Sequence, residues 1–149
     1  MSTGTAIDIY GTNNIRNSSG VVDPLWNCYL NGVHIDATPP FQSKENNWRM
    51  CSIDGLLDMN HTFTLSVSTF GQSFWFDYLV YTPSPNSSSQ NDSFIFVPFS
   101  DSVLSYDSSW QYWSNISAIT RTMDATVLFQ FTGTEANLLL TVSLFIIDF

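Results

Sequence analysis

Basic side chains are scarce in this sequence. Arg16, Lys44, Arg49 and Arg121 stand against thirteen acids, and the net charge of -9 repels phosphate backbones and anionic bilayers, which excludes nucleic acid as a partner. Cysteine is almost as rare. Cys28 and Cys51 show neither C-x-x-C nor zinc-ligand spacing, so one disulfide or two buried thiols remain. Of the two histidines, His34 and His61, neither belongs to a Ser-His-Asp or H-E-x-x-H pattern, and "GQSFW" at 71–75 is no nucleophile elbow. No catalytic residue, metal ligand set or cofactor motif is therefore assigned. Long apolar runs are missing too. The apolar tail at 138–147 is too short to cross a bilayer as a helix, and "MSTGTAIDIY" has neither the basic start nor the apolar run of a signal peptide. No direct membrane insertion by this chain is expected.

What the sequence has is aromatic residues, 15% of the chain, which suit half-buried strands better than surface helices. No stretch shows a helical period. At 149 residues one domain is expected. Alternation is cleanest in "HTFTLSVST", where Phe63, Leu65 and Val67 point one way and the Thr and Ser residues the other, the pattern of a sheet with one face on a core. "WNCYLNGVHID" reads as a hairpin, because Asn31-Gly32 supplies the positive φ of a type I′ turn. That pairing puts Trp26, Cys28, Leu30, Val33 and Ile35 on one face. Further strands are expected over 6–11, 48–53, 74–81, 94–98, 103–106 and 125–131. The fold class is all-β, an antiparallel sandwich.

"PSPNSSSQNDS" at 83–93 lacks any large apolar residue and reads as a solvated linker. It separates a piece over 1–82 from a piece over 94–134, with the apolar tail at 135–149 beyond. Five Asn-x-Ser/Thr sequons, at Asn17, Asn60, Asn86, Asn91 and Asn115, are candidate glycosylation sites. Together with a cysteine pair they favour the secretory pathway.

Three stretches, "FWFDYLVYTPS", "CYLNGVHID…NNWRMCSIDGLLDMNHTFTLSVS" and "SDSVLSYDSSW…ATVLFQFTGT", together resemble the tandem jelly-roll, galactose-binding-like ectodomains of basidiomycete-type fungal surface and transmembrane proteins. The resemblance covers about residues 3–134. It implies an extracellular or cell-surface location and a non-catalytic structural or interaction role, with carbohydrate binding as the alternative. It also implies an altered order: the back half of one domain, the linker, then the front half of the next, as in an internal fragment or altered gene product. The copies "STGT" and "FTGT" at either end mark the cut. The two halves are complementary, so the chain can close one sandwich as a circular permutant, with Phe131 in a strand beside Ala6–Tyr10 of the same sheet.

Candidate chemistry is sparse. Asp54 with Asp58, and Asp8 with Asp77, are the acid pairs a glycosidase reading would use, and a calcium site would draw on the same carboxylates. Asp54 and Asp58 read as turn residues, and Asp77, inside an aromatic strand, as the anchor of a neighbouring loop. Trp26, Trp48, Trp75 and Trp110 read as core, Trp113 as an exposed loop aromatic. Antiparallel strands send the long connections, 12–25, 37–47, 69–73 and 107–124, to one end of the sandwich. Trp113, Arg16, Arg121 and Lys44 fall there and make the candidate ligand site, for cell-wall or surface glycans. Cys28 and Cys51 make the candidate disulfide, which would stabilise by about 3 kcal/mol in the chain-entropy model. Strand parity with Arg49 leaves the direction of Cys51 open.

Overall fold

The computed structural model describes residues 5–57, 59–83 and 94–132. Thirteen strands fill them, all paired antiparallel: β1 (Thr5–Asn13), β2 (Arg16–Ser18), β3 (Val21–Asp23), β4 (Leu25–Leu30), β5 (Val33–Ile35), β6 (Glu45–Leu56), β7 (Asn60–Ser68), β8 (Phe74–Thr82), β9 (Ile95–Pro98), β10 (Leu104–Tyr106), β11 (Trp110–Trp113), β12 (Ser117–Thr120) and β13 (Ala125–Thr132). The larger sheet runs β11-β12-β8-β1-β6, with β9 also on β8, and the smaller runs β10-β13-β7-β4-β5. β2 and β3 form a separate hairpin.

The two sheets close on each other because each has one apolar face. Ile7, Ile9, Phe74, Phe76, Leu79 and Tyr81 of the larger sheet meet Trp26, Phe63, Leu65, Val67, Val127, Phe129 and Phe131 of the smaller, all buried. Rings interlock across the interface, Tyr81 with Phe129 at 5.6 Å and with Phe131 at 5.9 Å, and Trp26 with Phe74 at 5.9 Å. Each such side chain contributes about 1.5–3 kcal/mol by leaving water. This is a β-sandwich to which residues 94–132 supply strands in both sheets, β9, β11 and β12 in one and β10 and β13 in the other. The Cys28–Cys51 disulfide, with Cα atoms 6.5 Å apart, ties β4 of the smaller sheet to β6 of the larger.

Three expectations need correction, and the open direction of Cys51 is decided. Phe131 does not lie beside β1, since β13 belongs to the opposite sheet. Both edges of β1 are occupied, by β6 and β8, while β13 matches β7 over eight consecutive pairs from Ala125↔Val67 to Thr132↔Asn60. The stretches 12–25 and 107–124 are not plain loops. Each holds a hairpin, β2–β3 turning at Ser19 (φ 55) and Gly20 (φ 81), and β11–β12 turning at Ser114 (φ 48) and Asn115 (φ 56), so short polar residues carry turns without an Asn-Gly signal. Cys51 points inward despite its parity with Arg49. Ile9 pairs Cys51 and Tyr10 pairs Arg49, so Met50 is an extra residue, and such a β-bulge resets the alternation. Finally, Trp75 lies outside the core. It stands half-exposed opposite Thr12 on the solvent face of β8, where alternation puts it, because its neighbours Phe74 and Phe76 take the core face.

Candidate functional site

The long-connection end of the sandwich is organised by the segment 69–73, which carries the chain from β7 to β8. Its backbone is held by Asp23: the amides of Phe70 and Gln72 donate to the two carboxylate oxygens at 2.9 and 3.2 Å. Arg16 pairs with Asp23 across the β2–β3 hairpin, which brings its guanidinium to the same segment. With its amide oxygen turned toward that group, Gln72 accepts from Arg16 Nε at 2.6 Å and Nη1 at 3.0 Å. From the other side Arg121 Nε donates to Ser73 Oγ at 2.8 Å. Two of the candidate cations thus converge on adjacent residues.

Trp113 completes the group. It sits on β11, not in a loop, and is 48% exposed. Register places Gln111, Ile119 and Trp75 side by side across β11, β12 and β8, so Trp113, two residues from Gln111, shares their outward face. Its ring meets Trp75 at 5.6 Å, edge to face. Ile119 is only 6% exposed yet lies apart from the core between the sheets: it is buried on the outer face among these neighbours. Trp113, Arg16 and Arg121 are therefore grouped around Gln72–Trp75. Lys44 is not brought into that group. It is exposed just before β6, in a connection that Asn13 fastens by donating to the carbonyls of Phe41 at 2.6 Å and Ser43 at 2.9 Å.

Asp77 is the residue that sequence reasoning misjudged in kind. Gly11 pairs Phe76 while Tyr10 pairs Tyr78, so Asp77 is the extra residue of a bulge in β8, and both it and Tyr78 turn to the outer face. Among the described residues its side chain meets only Thr12 of β1, whose Oγ1 lies 3.5 Å from it and 2.8 Å from Asn46 Oδ1, with one proton to share between the two acceptors. Burial with so little hydrogen bonding pushes the Asp77 carboxyl up to about 6. Asp107 shows the opposite outcome. Burial would raise it, but bonds from the Ser109 and Thr126 amides and the Thr126 hydroxyl favour the anion and lower its pKa.

Of the acid pairs, Asp8 lies opposite Val80, three residues along β8 from Asp77, about 8–10 Å at strand rise with the bulge between them. Asp8 is 3.7 Å from Arg49. Asp54 is exposed near the end of β6, and Asp58 lies outside the described residues. Both ring nitrogens of His61 are engaged, with Leu57 O at 2.8 Å and Asn31 Nδ2 at 3.1 Å, and His34 is exposed against Tyr29. No group of three metal-binding side chains occurs among the described residues. No helix long and apolar enough to cross a membrane occurs among the described residues. Between the sheets, the space lined by Ile9, Phe76 and Phe129 leaves no room for a water molecule. Of the sequons, Asn17 is exposed beside Arg16, Asn115 is exposed in the β11–β12 turn, and Asn60 is exposed at the start of β7; Asn86 and Asn91 lie outside the described residues. Comparison with family models, curated proteins and solved structures returns no match for this chain.

Proposed function

We propose that this chain is a non-catalytic interaction module of an extracellular or cell-surface protein, with a jelly-roll, galactose-binding-like sandwich of the fungal type it resembles, and that it binds surface glycans. The observation that carries the reading is the convergence of Trp113, Arg16 and Arg121 on Gln72–Trp75. An exposed indole offers an apolar face to a sugar ring, and each guanidinium keeps donors beyond those spent on Gln72 and Ser73 for its hydroxyls. Exposed aromatics beside fixed donors are not needed for a sandwich to fold.

A purely structural spacer is the second reading, and one observation favours it: both arginines already hydrogen-bond the 69–73 segment. Glycan-array binding by folded protein lacking its sequons separates the two. The interaction reading expects a glycan class to be captured, and Trp113→Ala to weaken capture about thirtyfold with unchanged thermal stability. A folded parent that captures nothing, or a Trp113→Ala protein that captures as the parent does, leaves the spacer.

A further inference from the structure

The two outer faces of this sandwich differ. The central strand of the smaller sheet, β7, turns Thr62, Thr64, Ser66 and Ser68 to solvent, the ordinary finish of a half-buried sheet. The central strand of the larger sheet, β8, turns out Trp75, Asp77, Tyr78 and Val80 instead. The aromatic residues there form two stations. The first is Trp75 with Trp113 at 5.6 Å. The second is Tyr78, stacked on Tyr10 at 4.9 Å and meeting Phe96 of β9 at 4.8 Å; Phe96 is 54% exposed. Across the bulge Trp75 stands opposite Thr12 and Tyr78 opposite Tyr10, so the stations are about 7 Å apart along the strand, more than one sugar ring covers, and Trp113 and Phe96 on flanking strands widen the face. Between the stations, on the bulge, stands the Asp77 carboxylate, whose hydrogen-bond partner among the described residues is Thr12 at 3.5 Å.

We infer that this face binds a neutral polysaccharide along its length, an equatorially linked chain of glucose or N-acetylglucosamine type, running from Trp113 and Trp75 past Asp77 to Tyr78 and Phe96. The inference rests on the glycan reading above and names its ligand class. Three properties of the face select that class. It is an open sheet surface, which suits a chain passing over it. Its aromatic stations match sugars whose hydroxyls and linkages are all equatorial, because such rings carry axial C–H bonds on both faces and so offer an apolar face whichever way successive rings turn. The carboxylate between them accepts hydrogen bonds from hydroxyls, and together with the net charge of -9 it turns away anionic chains.

The test is titration of the folded protein with the beta-linked glucose and N-acetylglucosamine oligosaccharides, from monosaccharide to hexasaccharide. In one series affinity should climb with length until both stations are covered. Tyr78→Ala should remove about tenfold of the hexasaccharide affinity and leave monosaccharide binding unchanged. Phe96→Ala, at a more exposed position, should act in the same direction and guards against a Tyr78 variant that fails to fold. Length-independent binding, or full hexasaccharide affinity in both folded variants, overturns the extended chain; if Trp113→Ala still weakens binding, the site at Gln72–Trp75 stands without it. Binding of neither series overturns this ligand class, and the glycan array then decides the broader reading.

Discussion

Replacing Asp77 by Asn should make this protein more stable at neutral pH, contrary to the usual effect of altering a half-buried polar residue. Folding raises the Asp77 pKa from 3.8 to about 6, so between those values the folded state holds a proton that the unfolded state has released. Stability contributed by this group therefore falls as pH rises through the window and stays lost above it. Two pKa units correspond to about 3 kcal/mol, an upper bound, because Asp77 lies on the outer face where water screens it; about 1–2 kcal/mol is the expected gain. Asn keeps the shape and an acceptor for Thr12 without the charge. Urea unfolding of parent and variant at about pH 4, 5, 6 and 7 isolates the term, since every other carboxylate cancels in the difference. The difference should be near zero at the acid end and grow toward neutrality. A difference that does not change with pH, or a variant less stable than the parent at pH 7, would refute the reasoning.

Asp107 should behave with the opposite sign. Its pKa is lowered by bonds from Ser109 and Thr126, so Asp107→Ala should cost about 1–2 kcal/mol at neutral pH, and the cost should fade as the parent's carboxylate protonates on acidification, read by the same urea series. Replacing Cys28 and Cys51 by serine should cost about 3 kcal/mol; reduction of the parent should reproduce the loss in chemical denaturation. Gly11→Ala should destabilise by about 1–3 kcal/mol, seen as a lower melting temperature. A Cβ there would run into the Trp75 carbonyl and the end of the Met50 side chain.

Local pattern made the class of this fold legible. Alternation in Phe63, Leu65 and Val67, and the Asn31-Gly32 turn, are short-range signals, and β7 and the β4–β5 hairpin follow them. That Arg16 and Arg121 fall at one end was legible as well, because antiparallel strands must alternate their connections; that Lys44 stays apart from them was not. What the letters did not hold was whatever depends on pairing between distant segments. The bulges at Met50 and Asp77 exist only because β1 pairs with β6 and β8 in shifted register, and they decide that Cys51 faces the core and that Asp77 and Tyr78 face solvent together. The partner of β13 was settled likewise, by a competition between two apolar-faced strands in which β1 had no free edge. The sequence by itself determined an acidic, aromatic, all-β chain with one cysteine pair. Only the tertiary structure decided which aromatic residues share an outer face, because a one-residue change of register moves every later side chain to the other side of the sheet.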